Sequence, residues 1–169
     1  MSELEQLLSG DGAAAPPAFI LEGLAAEQAS RKVAGSPRTI YEELWHISYW
    51  QQISLDWISG VETPYPAHAE EGFPSESDRK TSGRQSESWE RLCERFFHGN
   101  EQAAAAARET AKLETSIRCT SRPGHPVRMM TVREQLENLA AHNAYHFGRV
   151  VLLRQMLGAW PPPSGGFSW

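Results

Sequence analysis

Long apolar runs are missing from this chain of 169 residues. No stretch approaches the roughly 18 consecutive apolar residues that a membrane span needs, so no membrane partner is expected. Cysteine is scarce as well. Cys93 and Cys119 are the only two, far apart and outside any CxxC arrangement, which fits reduced thiols better than a disulfide framework. Basic residues are outnumbered: 16 Lys and Arg stand against 21 Asp and Glu, a net charge of −5. That leaves no basic face to neutralise phosphates, and a nucleic-acid partner is not expected. The GxxxxGK[ST], GxGxxG and GxSxG patterns are absent, which removes the common nucleotide-binding and serine-hydrolase chemistries. The opening residues, MSELEQLLSGDG, have neither the basic nor the apolar stretch of a secretory signal, and a cytoplasmic location follows as the expectation.

What is present is ordinary globular composition, 40% hydrophobic and 22% charged, enough for one domain over residues 1–169. Helical signals dominate and nothing reads convincingly as a sheet. Ser2 with Glu5 forms a capping-box pattern for a helix to Leu8. After an interruption at 10–15, Pro16 and Pro17 restart a helix through AFILEGLAAEQASRKV, which Gly35-Ser36-Pro37 breaks. The second helix is expected from Thr39 to Ser59, stopped by Gly60. Ile40, Leu44, Ile47, Gln51, Ser54 and Ile58 fall on one stripe of it. Trp45, His46, Tyr49, Trp50, Ile53 and Trp57 widen that stripe, which points to burial against more than one neighbour.

Residues 61–83, rich in Pro, Gly, Ser and charge, read as a long crossover. The third helix is expected from Arg84 to Leu113. Residues 115–120 are too short a pattern for a trusted strand, and Ser121 to Pro126 is a turn signal. The fourth helix starts at Thr131 with Glu134 completing a capping box, and runs to Leu157 before Gly158. Val132, Leu136, Leu139, Val150, Leu153 and Leu157 form its apolar stripe, interrupted by Asn143 and His146. The tail, WPPPSGGFSW, cannot be helical, and an extended Pro-rich strap anchored by Trp160, Phe167 and Trp169 is expected. The sum is an all-α four-helix bundle with a long crossover between its second and third helices.

The chemistry resides in HNAYH, residues 142–146. Spacing of i,i+4 puts His142 and His146 one turn apart on one helix face, where both imidazoles can reach a single cation. Two ligands do not make a tight site. His46, mid-helix among aromatic residues, is the candidate third, whereas His68, His98 and His125 fall in loops or helix ends and are expected on the surface. Three histidines leave coordination positions open for water or substrate, the pattern of a reactive site. Asn143 stands where an HExxH metalloprotease carries its glutamate, which disfavours that mechanism of peptide hydrolysis.

TIYEELWHISYWQ, followed much later by LAAHNAYHFGRVVLLRQMLGAWPPPSGG, resembles the DinB/YfiT-like superfamily of bacterial metalloenzymes. The resemblance implies a four-helix bundle whose His46, His142 and His146 bind a divalent metal ion, usually zinc or nickel, often in a homodimer. Two chemistries are expected. The resemblance supplies S-transfer with a low-molecular-weight thiol cosubstrate, while the open metal position itself adds the second, attack by metal-activated water on a small-molecule electrophile. No general base stands out; Asn143 and Tyr49 are the catalytic candidates, and Arg149 and Arg154 are candidates for holding a substrate carboxylate. The competing expectation is a non-catalytic, metal-stabilised, stress-associated dimer or interaction module.

Overall fold

The computed structural model describes residues 1–10, 14–74 and 87–165. The protein is mostly helical with one small two-stranded sheet. Three short helices, α1 (Glu3–Ser9), α2 (Pro17–Leu21) and α3 (Ala26–Ser30), precede α4 (Ile40–Ile58), α5 (Trp89–Arg108) and α6 (Val132–Met156). Between α5 and α6 lie β1 (Ser116–Cys119) and β2 (Arg128–Thr131). Among the described residues, no helix is long and apolar enough to cross a membrane.

Local chemistry sets the helix starts. The Thr39 hydroxyl accepts from the Glu42 N–H at 3.2 Å while the Glu42 carboxylate accepts from the Thr39 N–H at 2.7 Å. Thr131 and Glu134 repeat the arrangement at 3.1 and 2.7 Å. Each box satisfies two amide donors that the first helical turn leaves without partners. The expected helix 2 and helix 4 therefore appear within a residue of their anticipated bounds.

Three expectations are corrected. The stretch expected as one helix after Pro17 is two, because Gly23 adopts φ +69°, and a side chain there would strike Pro163. The third helix starts at Trp89, with Ser88 as its N-cap, and ends at Arg108 rather than Leu113; a short 3₁₀ turn over Thr110–Lys112 follows. Position 84, its expected start, lies outside the described residues, as do Phe167 and Trp169. The absence of a sheet is also overturned. β1 and β2 pair antiparallel from Ser116↔Thr131 to Cys119↔Arg128, and Ile117 and Cys119 point inward. Only two alternating apolar residues carry that strand, too few to stand out in the sequence.

α4 is the central element, packed on both α5 and α6. Its N-terminal half, Ile40 to Ile47, shares one apolar cluster with Phe147, Val150 and Leu153 of α6, and its C-terminal Ile53 and Trp57 share another with Val132, Leu136 and Leu139. The two helices are therefore antiparallel. Their polar stripe residues fall where the two clusters meet. At the end of the chain, Trp160 packs edge-on against Phe19 at 5.7 Å, and Ser164 hydrogen-bonds Glu22.

Candidate metal centre

His46 on α4 and His142 and His146 on α6 meet at that junction. One ring nitrogen of each lies within 4.8 Å of the others. The rings of His46 and His146 are 4.4 Å apart between centroids, and those of His142 and His146 are 4.5 Å apart. The i,i+4 spacing on α6 and the antiparallel approach of α4 suffice to bring them together. His68, His98 and His125 are exposed, as expected.

Hydrogen bonds decide which nitrogen of each ring is free. His46 Nδ1 is 2.7 Å from the Gly72 carbonyl, which can only accept, so Nδ1 carries the hydrogen and Nε2 keeps its lone pair. The backbone comes this close because position 72 has no side chain; a Cβ there would lie 3.2 Å from His46 Nδ1. Phe73 stacks on the same ring at 4.2 Å, and the Arg38 guanidinium carbon lies 4.1 Å from the centre of the Phe73 ring. His146 Nδ1 lies 2.7 Å from Glu43 Oε2, so it too donates and leaves Nε2 free. Glu43 is completely buried, and its other oxygen is 2.9 Å from Arg149 Nη2.

His142 completes the set. Its Nε2 is 3.2 Å from His46 Nε2, and its Nδ1 is buried without a hydrogen-bond partner. With the proton on Nε2 the two rings share one hydrogen bond; with the proton on Nδ1 both lone pairs face one point. Two nitrogens bound to one tetrahedral ion at roughly 2.0–2.1 Å are about 3.3–3.4 Å apart. The spacing already matches that edge. Burial also pushes the pKa values of His46 and His142 down to about 4, because desolvation disfavours the imidazolium. Both rings are neutral near pH 7, the form that binds a cation.

A cavity of about 460 Å³ opens beside the histidines, with Trp50, Trp57, Tyr65 and Arg128 in its wall. The remaining sequence candidates sit elsewhere. Tyr49 is half-buried, stacked on Trp45 at 5.2 Å, and Asn143 is buried with its Oδ1 unpartnered; neither lines the cavity. Arg149 is engaged by Glu43. Arg154 is corrected as a substrate-binding candidate: it is 2% exposed, and its guanidinium donates to the carbonyls of Ile20 and Ala159. Neither cysteine is a ready nucleophile. Burial and the neighbouring Glu90 and Glu94 push the Cys93 thiol up to about 11, and Cys119 is buried against Gln135.

Glu43 and Gly72 escaped the sequence reading. Glu43 left one usable signal, a carboxylate in the first turn of α4 between the buried Ile40 and Leu44, where a buried charge requires a partner. The Gly72 contribution is a backbone carbonyl and leaves none.

A search of curated proteins finds no match. The family model of the DinB superfamily matches residues 18–150, a span that begins in α2 and contains all three histidines. With most of its length so matched, the chain belongs to the DinB superfamily.

Proposed function

We propose that this protein is a metalloenzyme in which His46, His142 and His146 hold one divalent ion, zinc or nickel, for attack by a thiol or water on a small electrophilic substrate. The observation that carries this reading is the convergence of free imidazole nitrogens, with 3.2 Å between His46 and His142, at the wall of an open cavity. Neutral imidazoles suit zinc and nickel. Such an ion supplies one thing: it lowers the pKa of a neighbouring water or thiol so that the nucleophile is available deprotonated near pH 7.

The chain's own residues do the rest. Glu43 and the Gly72 carbonyl hold the hydrogens of His146 and His46 on Nδ1 and orient both rings, the usual outer support of a histidine site. Trp50 and Phe73 flank His46 and restrict water on that side. Since Cys93 and Cys119 are not ready nucleophiles, a thiol reaction draws on a low-molecular-weight thiol cosubstrate. The scaffold is read as a single-domain four-helix bundle, with α1 to α3 jointly taking the place of the first helix, in a cytoplasmic homodimer. The adjoining cavity favours catalysis over a non-catalytic metal-stabilised dimer, which needs no substrate space.

The test is metal content and thermal stability of protein purified without chelator. About one equivalent of metal is expected, and an ion bound at a hundred times its Kd adds about 2.7 kcal/mol, or roughly 5–10 °C in Tm for a chain of this size. His146→Ala abolishes both. Wild-type protein that holds no stoichiometric metal and gains no Tm from added zinc or nickel overturns the reading.

A further inference from the structure

The cavity beside the histidines has an uneven charge lining. Its described wall contains one permanently charged side chain, Arg128, and no carboxylate, although the chain as a whole carries −5. Arg128 is the last paired residue of the hairpin, opposite Cys119, and its guanidinium carbon lies 6.0 Å from the centre of the Trp57 ring. Among the described residues it forms no ion pair. His46, His142 and His146 form the other end of the same wall.

Between these two ends the wall is aromatic. Trp50 and Tyr65 are 5.0 Å apart between ring centres, and Trp57 and Tyr65 lie nearly parallel at 6.5 Å. The Trp57 indole N–H is already used, donating to the Thr63 carbonyl at 2.9 Å, so its ring is fixed as an apolar surface. Gln135 is engaged by Ser54 at 2.9 Å and by Cys119. What remains for a ligand is the Arg128 guanidinium fork, the flat apolar faces, and the neutral polar groups of Tyr65 and Asn138.

We propose that this cavity takes a small organic carboxylate with a planar apolar body. Its carboxylate sits on Arg128, its body lies among Trp50, Trp57 and Tyr65, and its far end is presented to His46, His142 and His146. A guanidinium matches a carboxylate in bidentate geometry, and the cavity volume lies in the range of small-ligand sites. The proposal names the substrate class for the metalloenzyme reading and rests on it for the histidine end; the carboxylate end stands on Arg128 alone.

The probe is benzoate against its neutral isostere benzamide, followed by quenching of tryptophan fluorescence in metal-loaded and metal-stripped protein. Benzoate is expected to bind at least about tenfold more tightly than benzamide in both forms, the size of one charge-assisted hydrogen-bond pair. Arg128→Gln removes the preference. Arg122→Gln, outside the cavity lining, keeps it. Asn138→Asp, which places a carboxylate in the wall from an exposed helix position, weakens benzoate and spares benzamide, so the outcome does not depend on the folding of one variant. Benzoate that binds no better than benzamide, or equally well to Arg128→Gln, overturns the proposal. So does benzoate that binds only the metal-loaded form, which marks coordination to the ion. If the protein takes no metal, the preference is still read in the stripped form, and the two failures remain distinct.

Discussion

Replacing Glu43 by glutamine tests whether the buried carboxylate tunes the histidine centre or merely fills space. The wild-type side chain is fully buried, 2.7 Å from His146 Nδ1 and 2.9 Å from Arg149 Nη2. Glutamine keeps the shape and can still accept from the imidazole, but it removes the charge that makes His146 Nε2 a stronger donor. Loss of such an outer partner weakens metal binding by about 10–100-fold, or about 1.4–2.7 kcal/mol. Glutamine is expected near the lower figure and Glu43→Ala near the upper one. For 169 residues the entropy of unfolding is about 0.35 kcal/mol/K, so the tenfold loss lowers the Tm of metal-loaded protein by about 4 °C beyond any change in the stripped form. The assay is chelator competition for affinity, with paired Tm measurements on loaded and stripped protein. Wild-type affinity in both variants refutes the reasoning, whatever happens to stability.

Three further outcomes follow from the packing. Gly99→Ala pushes a methyl into the buried Gln51 amide, whose Cδ would be 2.8 Å away, and is expected to cost about 1–3 kcal/mol in denaturant unfolding, partly recovered in the Gln51→Ala background. Arg154→Ala strips two carbonyls, those of Ile20 and Ala159, of their donor and is expected to destabilise by about 2–4 kcal/mol; an unchanged midpoint would show that water replaces the guanidinium. Metal-stripped protein is expected to lose stability on acidification. His46 and His142 titrate near 4 when folded and near 6.5 when unfolded, so below about 6.5 the unfolded chain binds more protons and stability drops as the pH is lowered toward 4. A Tm flat from pH 7 to 4.5 contradicts this.

The parts of the site that were legible in the sequence are those set by helical spacing. His142 and His146 needed only the i,i+4 rule, and His46 stood out as a polar residue on an aromatic-rich stripe. The capping boxes at Thr39 and Thr131 marked both helices to within a residue. What stayed hidden depends on contacts between distant segments. The break at Gly23 answers the approach of Pro163 from the far end of the chain, and the hairpin is held by only four paired positions on each strand. Arg128 looked like an unremarkable residue after a turn until pairing with β1 brought it to the cavity wall. Glu43 acquires a meaning only once α6 is laid against α4.

The bond between His46 and the Gly72 carbonyl joins the segment that follows α4 to the electronics of the centre. That carbonyl keeps its acceptor role only while residues 69–73 stay seated on α4. Linkage then works in both directions: whatever seats the segment strengthens coordination by residue 46, and an occupied centre holds the segment down by the same free energy. A change confined to this connection, far from any ligand in the sequence, thus registers as a change in metal affinity.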